Sequence, residues 1–129
     1  HHIFRAIIEG ICFGTRTILD GFKNGGYTST EMTVGGGATA SRLWMQIHAD
    51  TAGIPVRIPA STDAPSMGSA ILAAHGAGHF ASIDEGIEAM VKPGILIEPD
   101  PAAMAAYESV YQQYRALYPA LKDICEQSE

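Results

Sequence analysis

Apolar residues recur at steps of three and four from the start of the chain: Phe4, Ile7, Ile8, Ile11, Cys12, Thr15, Ile18, Leu19 and Phe22. That spacing predicts one apolar helix face, with the helix stopping at Gly25-Gly26. Glu31 to Val34 then reads as a short strand, and Gly35, Gly36 and Gly37 follow it directly. Ser41 to Ala52 reads as a second helix, with Leu43, Trp44 and Ile47 on one face and Gly53 as its stop. Ile54 to Ile58 reads as a second strand, in which Pro55 is tolerated only at the start.

The second half is mostly helical. A third helix is expected from Ala64 to His75, with Asp63 as N-cap and Pro65 in the first turn. Gly68, Ser69, Ala70, Ala73 and Ala74 make it lean, which suits close packing against a sheet or another helix. Ser82 to Glu85, "SIDE", is a capping box that opens a short helix ending near Met90. "KPGILIEPDP" reads as an extended connector. Asp100 and Pro101 then open the last helix as N-cap and N1. Met104, Tyr107, Tyr111, Tyr114, Leu117, Tyr118, Leu121 and Cys125 mark its buried face, and Pro119 is expected to kink or interrupt it.

The order is helix, strand, helix, strand, helix, helix, helix. It predicts an α/β fold in which two short strands, joined by a crossover helix, lie parallel and right-handed. Two strands are too few for a sheet that carries these helices. The domain is therefore expected to be incomplete, with its remaining strands upstream of His1. An exposed apolar patch and an unpaired sheet edge should result, and the chain is expected to form a homo-oligomer.

Three glycines in a row need a reason, because each costs backbone entropy on folding. Two reasons are open. One is a tight turn with positive φ. The other is a ligand that must come close to the backbone. A strand, a glycine turn and a helix in that order also form an anion site, since the helix N-terminus is electropositive and has free N–H groups. Two named motifs are absent: G-x-G-x-x-G lacks its third glycine at Ala40, and no Gly-Lys-Ser/Thr occurs.

Composition narrows the partners. The 129 residues suit one modest domain, and 47% hydrophobic against 17% charged residues predicts a packed core. A net charge of −6 argues against nucleic acid and anionic membrane surfaces. No apolar run reaches the ~18 residues of a membrane span. Cys12 and Cys125 each fall on an apolar helix face and read as buried free thiols, which suits a cytoplasmic protein.

Other chemistry-bearing residues have plain readings. Asp63, Asp84, Glu85 and Asp100 stand at helix starts, where they cap and meet the dipole. Asp50 reads as an exposed or locally bonded helix residue. His75 and His79 are four apart, but Gly76 and Gly78 end the helix between them and no third ligand has a matching spacing, so no metal site is assigned. His48 reads as structural, and the tyrosine stripe of the last helix as packing.

The ordered run "GGGATASRLWMQIHADTAGIPVRIPASTDAPSMGSAILAAHGAG" resembles the C-terminal domain of the FGGY carbohydrate kinases, which share the actin–hexokinase–heat-shock ATPase (ribonuclease H-like) fold. The carriers are the glycine turn, Leu43-Trp44-Met45-Gln46, Ala49-Asp50, Gly53-Ile54-Pro55-Val56, Asp63-Ala64 and Gly68-Ser69-Ala70-Ile71-Leu72-Ala73. "RAIIEGICFGTR" resembles the helix before the turn and "AAYESVYQQYRALYPAL" the closing helix, so the resemblance covers nearly all of residues 1–129. It implies that Gly36, Gly37 and Ala38 meet the ribose and phosphate side of ATP, that Gly35 completes the turn, and that Ser41 lies beside the adenine. Gly68 and its small neighbours are packing.

The resemblance also implies that ATP and Mg²⁺ serve a full-length kinase acting on a small sugar or polyol, pentulose-like in flavour. Phosphoryl transfer needs a base, a metal ion and clamps on the γ-phosphate. The family's catalytic Asp and phosphate loops lie upstream of the matched region, so no catalytic residue is assigned and the chain alone is expected to be inactive. Two other readings stay open: another ATPase of the same superfamily, and a non-catalytic nucleotide-binding or interaction module.

Overall fold

A computed structural model of the chain describes residues 1–61 and 63–126, the last four of these by backbone alone. Helix α1 (His2–Asn24) is followed by strand β1 (Met32–Thr33), a 3₁₀ turn (Gly37–Ala40), α2 (Arg42–Ala52), β2 (Val56–Ile58), α3 (Ala64–Gly76), α4 (Ile83–Met90), β3 (Ile95–Ile97) and α5 (Pro101–Glu126). The expected helices are all present, with Asp63, Ser82 and Asp100 as the expected caps and Ser41 as a cap that the sequence reading does not single out. Ser41 Oγ accepts from the Trp44 N–H at 3.3 Å, Asp63 from Ser66 at 3.4 Å, Ser82 from Glu85 at 3.1 Å and Asp100 from Ala102 at 2.9 Å. Each satisfies an N–H that has no partner within its helix. Gly53 closes α2 in the left-handed conformation, at φ 69°.

The sheet runs in the order β1-β2-β3. β1 and β2 are parallel, with Met32 opposite Val56 and Thr33 opposite Arg57. This is the expected crossover pair. β3 corrects the reading of residues 92–101 as a plain connector: Ile95–Ile97 pairs antiparallel with β2, Val56 opposite Ile97 and Ile58 opposite Ile95. Three apolar residues set among prolines carry no periodic signal, so only the exposed edge of β2 makes them a strand. Gly94 permits the approach. A Cβ there would lie 1.7 Å from the Ile58 carbonyl oxygen.

α2 is the middle layer. On one side Ile47 joins Ile8, Cys12 and Phe13 of α1 and Tyr107 and Tyr111 of α5. On the other side Met45 and Ala49 join Val56 and Ile97 of the sheet. Trp44 touches both clusters. Each large side chain buried this way stabilises the fold by roughly 1.5–3 kcal/mol. No helix among the described residues is long and apolar enough to cross a membrane.

Some expectations change. Pro119 does not interrupt α5, which runs through it. Of the two readings of Asp50, exposed or locally bonded, the second holds: it is buried, and its Oδ1 accepts from Gln46 Nε2 one turn away and also from the Asp100 backbone N–H, both at 2.8 Å. It thereby ties α2 to the start of α5. The lean side of α3 does not pack, for Gly68, Ser69, Ala70 and Ala73 are exposed and only Ile71 is buried, against α4. Cys12 is a buried free thiol as expected, and the side chain of Cys125 lies outside the described residues.

The tyrosine stripe divides. Tyr107 and Tyr111 are buried, while Leu117, Tyr118 and Leu121 are exposed. α1 keeps an apolar face that the described residues do not cover: Phe4, Ile7, Ile11, Ile18 and Phe22 are exposed, and the residue buried beside Ile8 and Cys12 is Phe13, which the periodicity does not single out.

Candidate functional site

The glycine turn forms where β1 ends. Val34 N–H still donates to the Arg57 carbonyl at 3.0 Å, and the chain then leaves the sheet. Gly36 takes φ 86°, a region that side-chain-bearing residues avoid. Its carbonyl accepts from the Thr39 N–H at 3.1 Å and from Thr39 Oγ1 at 2.7 Å, closing the 3₁₀ turn. That turn delivers the chain to Ser41, the cap of α2. The first turn of α2 therefore aims its electropositive end toward the glycines.

The three glycines differ. Gly36 is a glycine because its backbone requires one. Gly35 and Gly37 have no positive φ, and a Cβ at either would meet nothing within 4 Å. Both are exposed. Among the described residues, neither a steric contact nor a positive φ demands glycine at these two positions. Ala38 is half-buried and packs on the Met45–Val56 cluster, which anchors the far side of the turn. Ser41 is half-buried, and its hydroxyl is engaged by the Trp44 N–H.

One ion pair holds this corner, and the sequence did not advertise it. Arg57 on β2 donates from Nε and Nη2 to the two carboxylate oxygens of Glu31, each at 2.6 Å. Glu31 directly precedes β1, so the bidentate clasp fixes the register of the strand that leads into the turn. The guanidinium's hydrogen bonds hold the Glu31 carboxyl below its ordinary pKa. Two opposite charges 26 positions apart give no sequence signal until parallel pairing sets Arg57 opposite Thr33.

The remaining candidates have structural partners. His75 Nδ1 donates to the Phe80 carbonyl at 3.0 Å, and the His79 ring packs edge-on against Phe80. Glu85 accepts from the Ala81 N–H at 2.7 Å, one residue before the cap. His48 is buried in α2, and burial lowers its pKa. Among the described residues no three His, Cys, Asp or Glu side chains gather as a metal site. An apolar hollow of about 490 Å³ between α3 and α4, near Pro59, carries Lys92 as its charged residue and is separate from the glycine turn.

The model of the FGGY family of carbohydrate kinases, C-terminal domain, matches residues 1–77. A xylulose kinase of Staphylococcus epidermidis is 34% identical over 120 residues, covering 93% of this chain and 24% of that protein. A ribulokinase of Mycolicibacterium smegmatis is 34% identical over 116 residues, 89% of this chain and 21% of that protein. The crystal structure of a xylulose kinase from Rhodospirillum rubrum overlays with a TM-score of 0.80 at 31% identity, over 95% of this chain and 25% of that one. The chain thus spans about a quarter of the length of the relatives it matches. Its fold is the C-terminal part of the actin-like ATPase fold of these sugar kinases. The family match, carried by the same helix–turn–helix segment that holds the glycines, establishes that the chain belongs to the FGGY family of carbohydrate kinases, in its C-terminal domain.

Proposed function

We propose that residues 1–129 are the C-terminal, ATP-binding domain of a longer cytoplasmic kinase that transfers the γ-phosphoryl group of ATP to a hydroxyl of a small sugar or polyol. The relatives named xylulose kinase and ribulokinase make a pentulose the favoured acceptor. The observation that carries the nucleotide assignment is the pair Gly35 and Gly37. They are open, unstrained and exposed, so their lack of a side chain serves something outside the chain's own packing. A ribose or phosphate resting on the backbone is such a thing, and α2 presents its electropositive end beside it.

In this reading the chain's residues bind and orient. Gly35, Gly36, Gly37 and Ala38 form the floor under the ribose and phosphates, and Ser41 borders the adenine while capping α2. In the transfer, a bond forms between the acceptor oxygen and the γ-phosphorus, the bond to the β–γ bridging oxygen breaks, and ADP leaves. The acceptor's proton goes to a base. We assign that base and the γ-phosphate clamps to the rest of the kinase, because the family resemblance places the catalytic Asp and the phosphate loops upstream of this region; among the described residues no three His, Cys, Asp or Glu side chains gather as a metal site. The chain alone therefore gives no turnover.

Amide chemical-shift mapping tests the reading. Millimolar ATP or ADP is expected to shift the backbone amides of residues 35–41, and Gly37→Val to abolish those shifts. Unmoved amides in the native chain, or equal shifts in the variant, overturn the assignment. Turnover of ATP with a pentulose by the purified chain overturns the placing of the catalytic groups elsewhere.

A further inference from the structure

The hollow between α3 and α4 takes no part in the glycine turn, and its walls have a pattern of their own. Gly86 of α4 lets the two helices meet at one end of it: a Cβ there would lie 2.9 Å from Ile71 Cγ2 on α3 and 3.0 Å from the Phe80 ring. From that contact the hollow extends to Ala64 on α3 and to Val91 past the end of α4, and Pro59, one residue beyond β2, borders it. Its volume is about 490 Å³, within the range of ~300–1,000 Å³ that small ligands occupy.

Two features of the lining point to an occupant. The first is Gly68. It stands inside α3, has no positive φ, and a Cβ there would meet nothing within 4 Å. Glycine weakens a helix interior, and among the described residues neither contact nor torsion demands it here. Residue 68 lines the hollow, so a side chain there would take up its volume. The second is the polar pair Ser61 and Lys92. The rest of the lining is apolar and none of it is acidic. Neither side chain has a hydrogen bond or an ion pair among the described residues. Met67 and Met90 stand on opposite walls, where flexible thioethers adapt to what lies between them.

We infer that the hollow binds a small amphipathic monocarboxylic acid of the medium-chain fatty-acid class, its hydrocarbon body between α3 and α4 and its carboxylate at Lys92 and Ser61. An apolar lining favours every methylene it removes from water. One ammonium and one hydroxyl match one carboxylate, whereas a phosphate dianion asks for more donors than these two groups supply. A sugar would bury hydroxyls with too few partners, so this site is distinct from the acceptor site of the proposed kinase. A neutral hydrocarbon would leave Lys92 unanswered. Every wall comes from residues 59–92, and the inference does not rest on nucleotide binding.

Amide chemical-shift mapping of the 129-residue chain with sodium decanoate, kept below micelle formation, tests it. Decanoate is expected to shift the amides of Ala64, Met67, Gly68, Met90 and Lys92 and to leave those of residues 35–41 in place. The Kd should tighten roughly fifteenfold from octanoate to decanoate, about fourfold for each buried methylene. Gly68→Leu fills the hollow and should weaken decanoate about tenfold or more. Ala64→Leu, on the same wall, replaces it if circular dichroism finds the first variant unfolded. Lys92→Gln should weaken decanoate about fivefold and leave 1-decanol unchanged. The inference is overturned by unmoved amides at the hollow, by shifts confined to the exposed apolar face of α1, by undiminished binding in the filled variant, or by a Lys92→Gln chain that binds decanoate as the parent does.

Discussion

The Tyr111 hydroxyl on α5 donates a 2.6 Å hydrogen bond to the Asp20 carboxylate on α1, and the Arg16 guanidinium lies 4.0 Å from the centroid of the same ring. Tyr111 is 1% exposed, so this one side chain fills the space between two helices and also answers two of the charges that α1 turns inward. Removing the hydroxyl alone, in Tyr111→Phe, is expected to cost about 1–2 kcal/mol, the range for a hydrogen bond to a charged group that keeps some access to water. Tyr111→Ala adds a cavity and should cost about 3–5 kcal/mol. Urea denaturation of the two variants checks the order. A Tyr111→Phe protein as stable as the parent removes the hydrogen bond from the account.

The glycine turn predicts a contrast between neighbours. Gly36 sits at φ 86°, so Gly36→Val strains the backbone and should lower the stability of the chain by about 1–2 kcal/mol. Gly37 has open space and an ordinary φ, so Gly37→Val should leave the melting temperature unchanged. In the full-length kinase the same Gly37→Val should raise the ATP KM at least tenfold while the sugar KM holds. Steady-state kinetics in both substrates decide it, and an unchanged ATP KM removes Gly37 from the nucleotide site.

Cys12 is fully buried, and burial pushes its thiol pKa up to about 12. The thiolate is the reactive form, so at pH 8 the native protein should hold this sulfur inert. In a Cys125→Ser background, Ellman's reagent is expected to find no fast thiol in buffer and one in 6 M guanidinium chloride. Rapid labelling of the folded chain contradicts the packing of α1 on α2.

His48 predicts a pH dependence of stability. Burial lowers its pKa in the folded protein below the ordinary value of 6.5, which the unfolded chain retains. As pH falls through 6.5, the unfolded state takes up a proton that the folded state refuses, so stability declines. The decline ends once the pH is below the folded pKa, where both states are protonated. Above pH 7 the group contributes no slope. His48→Gln should flatten the urea midpoint between pH 7.5 and 5.5, and an unaltered slope in that variant assigns the effect elsewhere.

Much of this protein is determined by local sequence. Ser41, Asp63, Ser82 and Asp100 each start a helix where they stand, because a short side-chain acceptor before a helix-forming run satisfies N–H groups that have no other partner. The order strand, glycine turn, helix needs no more than neighbours a few residues apart. The parallel pairing of β1 with β2 follows from the helix that separates them. Three outcomes belong to the tertiary structure. Ile95–Ile97 is too short to show periodicity and becomes a strand only against β2. Asp50 is a helical carboxylate like any other until the start of α5 brings the Asp100 N–H to within 2.8 Å of it. α1 is apolar over so much of its circumference that spacing alone names a stripe without saying what it meets. The side that meets α2 and α5 carries Ile8, Cys12 and Phe13 into the core, and beside them Tyr107, Glu108 and Tyr111 of α5 give Arg5, Glu9, Arg16 and Asp20 hydrogen-bonding partners across sequence separations of 91 to 102 residues. A charge with a partner at that distance is invisible to periodicity.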